Sequence, residues 1–349
     1  MKTYKVGVLG GDGIGPEVAA EAVKVLKKAQ DGFGLEFVEY PFGSEHYLKT
    51  QELVPDRAFE EIRALDAVLL GALGDPRLPV GLIERGILFK LRFGLDLFVN
   101  LRPIKLYTDK LCPIKNKGPR DIDFVVCREN TEDAYSGEAR FEKKGTPDEV
   151  AIQEARYTWK GCERIIRYAF ELARKRPRKK VTLVDKANAI RAHDLWRRVF
   201  ESVGKDFADV QKDTAYVDAT CMWMVKNPES FDVIVTTNMF GDIITDLGAM
   251  IQGGMGIAAG GNIHPGKVSV FEPIHGSAPK YKGQKKVSPL AAILAAGMLL
   301  EHVGEKKAGD RIESAVKKVL QSEALPSIDA SSGVPTDKVG DMVVRALGA

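Results

Sequence analysis

The sequence predicts an α/β fold in two lobes, and three features carry that reading. Short β-branched runs alternate with segments of helical period, the pattern of strands separated by crossover helices. The chain has 349 residues, more than one ordinary domain needs, so two lobes with ample core are expected. Hydrophobic residues make up 44% and charged residues 28%, the proportions of a globular chain that needs no staples to fold.

Val6–Leu9 opens the series as a buried strand, followed by Ala67–Gly71, Phe124–Cys127, Val181–Val184 and Val233–Thr236. Glu17–Lys28 places Val18, Ala22, Val23 and Leu26 on one face. Trp159–Arg174 does the same with Cys162, Ile165, Ile166, Ala169, Phe170 and Ala173, so both read as amphipathic helices. Pro289–His302, almost wholly apolar on its inward side, and Arg311–Gln321 complete the tail. Breaks rich in Gly or Pro lie near Asp75–Gly81, Lys115–Arg120, Gly253–Gly266 and Ser331–Pro335. The turn Gly10-Gly11-Asp12-Gly13-Ile14-Gly15-Pro16-Glu17 follows a strand, opens a helix and is trailed by Glu36 and Glu39, which invites a dinucleotide-binding reading. Its glycines never fall into the GxGxxG phase, so a Rossmann fold is rejected. They serve instead a tight turn, with Pro16 suited to the first turn of the helix.

Charge excludes little, because 51 basic residues nearly balance 48 acidic ones and give no general argument for nucleic acid or membrane. The run Arg174-Lys175-Arg176-Pro177-Arg178-Lys179-Lys180 could touch RNA or an acidic partner, but it sits at a helix end and no aromatic residues interleave. Cys112, Cys127, Cys162 and Cys221 form no CxxC or Cys/His cluster and read as reduced thiols. With no signal peptide and no apolar run long enough to span a bilayer, the cytoplasm is expected.

Three groups of residues carry chemistry. Asp242 and Asp246, four apart in Asn238-Met239-Phe240-Gly241-Asp242-Ile243-Ile244-Thr245-Asp246, share a helical face inside an apolar stretch. Either they complement the helix dipole, or they hold a hard divalent cation such as Mg²⁺ or Mn²⁺, which oxygen donors suit better than zinc. Arg92, Arg102 and Arg128 at strand ends are either surface ion pairs or a convergent grip on a dicarboxylic acid. Lys186 follows a buried strand, at the edge where open α/β sheets place ligands, and is either solvated or poised to help move a proton. Tyr135 could supply the complementary acid or simply pack.

Taken together, Gly11–Glu17, Asn100-Leu101-Arg102-Pro103, Arg128-Glu129-Asn130-Thr131-Glu132, Asp185-Lys186-Ala187-Asn188, the Asn238–Asp246 run and Phe271-Glu272-Pro273-Ile274-His275-Gly276-Ser277-Ala278-Pro279 resemble, in order, the β-decarboxylating dehydrogenases. That family includes the isopropylmalate, isocitrate, homoisocitrate and tartrate enzymes. The resemblance implies a two-lobed isopropylmalate/isocitrate dehydrogenase-like fold with a twisted mixed sheet. The first, cofactor-side domain would comprise residues 1–98 and 252–349. Residues 99–251 would form the second, with a dimer interface, an interlocking arm around Arg140–Ala151 and a cleft between the lobes. It also implies a homodimer whose active sites borrow Lys186 and Asp218 from the neighbouring subunit. The metal ligands would be Asp242, Asp246 and that Asp218, which also contacts substrate. Lys186 would help remove the C2 hydroxyl proton, Tyr135 would protonate C3, and Arg92, Arg102 and Arg128 would hold the carboxylate that leaves.

Within the family, the segment Glu84-Arg85-Gly86-Ile87-Leu88-Phe89-Lys90-Leu91 reads the group on C3, through Glu84, Ile87 and Leu88. The similar isocitrate enzymes have Ser and Asn where this chain has Gly86 and Leu88, so an isopropyl group is expected there rather than a third carboxylate. The implied reaction converts 3-isopropylmalate to 4-methyl-2-oxopentanoate and CO₂ in leucine biosynthesis. NADP-dependent isocitrate oxidation, or a homoisocitrate or tartrate activity, is the alternative, and Arg85 or Lys90 turned inward would favour it. His275, Gly276, Ser277, Ala278, Pro279, Val287, Ser288 and Asn188 are the implied cofactor contacts, with Lys280 and Tyr281. Lys280-Tyr281 stands where NAD-using members resemble one another in having Asp, so NADP or dual use is expected. Ser288 replaces a common Asn, Gly11 a usual Pro, and Asp133-Ala134 a usual Gly-Leu or Gly-Ile.

Overall fold

The apolar runs and amphipathic segments form, in the computed structural model, two units of α/β structure described over residues 1–348. In chain order the strands are β1 (Lys2–Gly11), β2 (Phe33–Tyr40), β3 (Ala67–Ala72), β4 (Val99–Lys105), β5 (Asp123–Glu129), β6 (Ala139–Glu142), β7 (Val150–Gln153), β8 (Lys180–Asp185), β9 (Gln211–Tyr216), β10 (Val233–Thr236), β11 (Ala259–Ile263) and β12 (Val270–Pro273). The helices are α1 (Gly15–Ala29), α2 (Ser44–Thr50), α3 (Asp56–Arg63), α4 (Lys90–Gly94), α5 (Trp159–Arg174), α6 (Asp194–Gly204), α7 (Val217–Lys226), α8 (Asn238–Ile251), α9 (Leu290–His302), α10 (Lys306–Gln321) and α11 (Thr336–Leu347). A π-helical turn, Glu84–Phe89, leads into α4. No helix among the described residues is long and apolar enough to cross a membrane.

The first unit contains Met1–Leu97, Lys105–Pro119 and the chain from Ala249 onward. Its strands lie in the order β2-β1-β3-β12-β11, parallel except for β11, which runs antiparallel to β12. Helix α1 buries Val18, Ala22, Val25, Leu26 and Ala29, so Val25 rather than the expected Val23 completes its inner face. Helix α9 is buried on nearly every side, from Leu290 through Gly297, which explains why its sequence lacks a polar face. The expected break at 253–266 contains the fully buried β11, because glycine lets that strand lie against the Phe271 ring.

The turn at Gly10–Glu17 is filled by the chain itself. Gly13 has φ +57°, and a Cβ there would lie 1.9 Å from the Ser277 carbonyl oxygen, which accepts the Ile14 N–H at 2.9 Å. Asp12 receives the Ser44 and Gly74 amides at 2.6 and 3.0 Å. The glycines thus admit a neighbouring loop of protein where a dinucleotide fold would admit pyrophosphate.

The second unit contains Phe98–Ile104 and Arg120–Gly248, with strands in the order β4-β5-β10-β8-β9. Strands β5, β10, β8 and β9 are parallel, and α5 and α6 bury Ile165, Ile166, Phe170, Trp196 and Phe200. A separate exposed hairpin, β6–β7, spans the expected arm. Residues 105–119, expected in the second domain, belong to the first unit. The Lys105 N–H donates to Gln252 Oε1, and Lys110 donates to the Ser322 and Leu325 carbonyls.

Candidate active site

The second unit gathers most of the predicted chemistry onto α8. Arg128 ends β5 almost wholly buried, at 1% exposure, and its Nε donates to Asn238 Oδ1 at 2.9 Å while Nη1 pairs with Asp242. Helix α8 can approach this closely because position 241 is glycine: a Cβ there would sit 2.5 Å from Arg128 Cγ. Arg102, on β4, donates to Asn100 Oδ1 at 2.7 Å and Thr245 Oγ1 at 2.9 Å, and lies 3.6 Å from Asp242 and 3.8 Å from Asp246. The Tyr135 hydroxyl donates to Asp242 Oδ2 at 2.8 Å, with the Arg128 guanidinium 5.3 Å from its ring. Asn100, Asn238 and Thr245, which sequence reasoning left without roles, aim these guanidinium groups. All three lie in or beside the motifs of the arginines and aspartates they serve.

Asp242 and Asp246 fit a hard divalent cation. They are one helical turn apart, offer oxygen only, and carry like charge on a partly buried face. Burial lifts the Asp246 carboxyl above its ordinary range, Arg102 opposes that shift and Asp242 adds to it. Among the described residues of one chain, no three His, Cys, Asp or Glu side chains gather as a ligand set. Asp218 lies on α7, paired with Lys186 Nζ at 2.7 Å, and this contact holds its carboxyl below the usual range. One chain therefore presents Lys186 and Asp218 as a pair. Asn188, two residues on from that lysine, is exposed.

The first unit carries the remaining candidates. Arg92, 3% exposed on α4, donates to Asn262 Oδ1 at 3.1 Å, and Asn262 donates to Glu272 Oε1 at 2.7 Å. In the π-helical turn, Glu84 and Leu88 are half-buried, whereas Ile87 has 0% exposure within the core cluster of Leu9, Leu70 and Leu91. Ile87 thus packs into the interior, and Glu84 and Leu88 are the more accessible of the three. Lys90 is committed to the Val54 carbonyl and Asp56 at 2.8 and 2.7 Å, which leaves Arg85 as the exposed cation of that segment.

The loop His275–Pro279 follows β12. Its Ser277 carbonyl is anchored on the Gly13 turn, while His275 Nε2 is buried with no protein partner and burial lowers the pKa of its ring. Exposed Gly276, half-buried Ala278 and exposed Pro279 lead to Lys280, whose ammonium sits 4.7 Å from the Tyr281 ring centroid. The Val287 carbonyl accepts from Thr336, and Ser288 Oγ donates to the Gly256 carbonyl at 3.3 Å.

The basic run is largely consumed within the chain. Arg174 pairs with Asp209 at 2.7 Å, Arg176 with Asp123 and Asp232 at 2.8 and 2.6 Å, and Lys180 with Asp213 at 2.8 Å. Arg178 and Lys179 reach Asp232 and Asp209 at 3.7 and 3.9 Å. Little uncompensated charge remains to attract phosphate.

Comparison with known proteins identifies the family. The family model described as isocitrate/isopropylmalate dehydrogenase matches residues 5–343. A 3-isopropylmalate dehydrogenase from Thermobifida fusca is 46% identical, over 99% of this chain and 98% of that protein. One from Corynebacterium glutamicum is 47% identical over 98% and 99%. The crystal structure of isocitrate dehydrogenase from Methylococcus capsulatus superposes with a TM-score of 0.90 at 36% identity, covering 99% of this chain and 100% of that one.

Proposed function

Because the chain belongs to the isocitrate/isopropylmalate dehydrogenase family, we propose that it oxidatively decarboxylates 3-isopropylmalate, a step of leucine biosynthesis, as its similar relatives are named to do. The observation that carries the reading is the cluster on α8, where two buried guanidinium groups and a tyrosine hydroxyl converge beside paired carboxylates. When bound, the divalent cation supplies Lewis acidity at the C2 hydroxyl and the nicotinamide accepts hydride. Asp242 and Asp246 would hold that cation from one subunit, with Asp218 of the partner subunit completing its ligands. The C2 hydroxyl proton would pass through Asp218 or a water to Lys186, which lies 2.7 Å from Asp218 and must be the unprotonated amine to receive it. Arg102 and Arg128 clamp the carboxylate that departs, Arg92 is assigned the same task, and Tyr135 returns a proton to C3. Glu84 and Leu88 face the C3 substituent.

A second copy of the chain is the partner this reading requires. Helix α7 exposes Met222, Trp223 and Val225, at 68, 43 and 46%, and α8 exposes Ile243 at 57%. The hairpin adds Phe141 and Val150 at 52 and 47%. Such apolar surface suits an isologous contact. The free cysteines fit a reducing cytoplasm, where we place the enzyme.

The cofactor is NAD or NADP, with the residues favouring NADP, held by His275–Tyr281, Val287, Ser288 and Asn188. An exposed ammonium beside a phenol offers a 2′-phosphate two favourable contacts. The test is a steady-state matrix of isopropylmalate, isocitrate, homoisocitrate, malate and tartrate against NAD and NADP with Mg²⁺. Isopropylmalate should give the highest kcat/KM; dominance of isocitrate with NADP would overturn the substrate assignment. Lys280→Asp should shift the NADP-to-NAD preference ratio about a hundredfold towards NAD. An unaltered ratio would remove Lys280 from the ribose phosphate.

A further inference from the structure

A chain of partly buried hydrogen bonds runs through the second unit from the Lys186 segment to the start of α8, and the reaction described above makes no use of it. The Lys186 backbone N–H donates to His193 Nδ1 at 3.0 Å. Nδ1 is therefore an acceptor, which puts the ring proton on Nε2, 3.2 Å from the Tyr157 hydroxyl oxygen. Tyr157 in turn donates to Asp133 Oδ1 at 2.8 Å. Asp133 Oδ2 accepts the Met239 N–H at 2.9 Å, in the first turn of α8. From Lys186 to Asp133 the donors point one way, and the Met239 N–H meets the same carboxylate from the other side.

The two ends of the run's side chains are enclosed. His193 and Asp133 are 0% and 1% exposed, and the His193 ring packs edge-on against Tyr157 and Phe240, with centroids 5.1 and 5.5 Å apart. Burial lowers the His193 pKa against the pull of Asp185 and Asp133, and burial with the Asp133 charge raises that of Tyr157. Both groups thus keep the neutral forms that this direction of donation needs. Asp133 holds φ +71°, a left-handed conformation that favours glycine but that aspartate tolerates. At this left-handed position the chain places the carboxylate on which the run ends.

We propose that Asp133, Tyr157 and His193 are positioning residues that fix the backbone of Lys186 to the N-terminus of the aspartate-bearing helix. They touch neither substrate nor cofactor and act through Lys186, so the inference rests on the proposed role of that lysine. In the shared-site dimer, they join the aspartates of one site to the lysine that serves the other. A group displaced by about 1 Å from its reacting atom can lose up to a hundredfold in rate, so the consequence falls on kcat.

The test uses the full-length enzyme with Mg²⁺. Tyr157→Phe removes one hydroxyl and keeps the ring; Asp133→Gly removes the carboxylate and suits the left-handed backbone. Each should lower kcat about tenfold, with KM for both substrates and the Mg²⁺ requirement within about twofold, and the double variant should be no worse than either. Asp133→Asn, which keeps an oxygen for Tyr157, should recover most of the rate. A fall in melting temperature with kcat unchanged, or losses that add in the double variant, would overturn the proposal. Lys186→Ala separates the two ideas: if it retains activity, the role of the lysine fails. If it is inactive while Tyr157→Phe turns over normally, the positioning run fails. In the parent protein, ¹⁵N spectra of labelled histidine should show His193 neutral with its proton on Nε2, and the other tautomer would overturn the run independently of any variant.

Discussion

Asp246→Asn is expected to fold like the parent and to lose about three orders of magnitude in kcat/KM. The amide keeps the size of the side chain but not the charge that holds a divalent cation. In the metal-free protein the carboxylate is an electrostatic burden, because it is partly buried one turn from Asp242 and burial raises its pKa. Removing it should leave stability unchanged or raise it by about 0.5 kcal/mol, the scale of like charges at that helical spacing. Steady-state rates at increasing Mg²⁺, beside a denaturant midpoint, check both halves. Activity within about tenfold of the parent would remove Asp246 from the metal ligands.

Arg128→Met should damage stability and chemistry together. The substitution strands Asn238 Oδ1 and deprives Asp242 of its nearest cation at a position that is 1% exposed. Loss of one member of a buried pair costs about 3–5 kcal/mol, and the partial exposure of Asp242 brings the expected value to about 2–3. With the carboxylate clamp gone, kcat/KM should fall about a thousandfold, mainly through the substrate KM. A KM close to the parent's, in protein shown by its melting curve to be folded, would place the substrate carboxylate elsewhere. The contrast between the two variants separates a residue that only serves chemistry from one that also holds the fold.

The central strands were legible because they are continuous apolar runs: Ala67–Gly71, Phe124–Cys127, Val181–Val184 and Val233–Thr236 all lie within strands of the structure. Strand β9, Gln-Lys-Asp-Thr-Ala-Tyr, was not, since it is a mostly exposed strand at the end of the order and carries no hydrophobic signal. Strand β11 hid in a glycine-rich stretch, its residues chosen to let Phe271 approach rather than for β propensity. The charged site residues could be named from motifs, but their supports could not. Periodicity does not reveal that Asn100 and Thr245 steer one guanidinium. Ile87 was named from the family resemblance, and that resemblance did not reveal that its side chain packs into the core cluster from a π-helical turn.

The plugged glycine turn at the head of α1 bears on how nucleotide preference can change. Ser277 already occupies the space beside Gly13, and the side chains proposed to discriminate between the dinucleotides, Lys280 and Tyr281, lie outside the hydrophobic interior. Exchanging them disturbs neither a packed helix nor a strand ladder. On the proposed assignment, coenzyme choice is insulated from folding, and a lineage can revise it by surface substitutions alone.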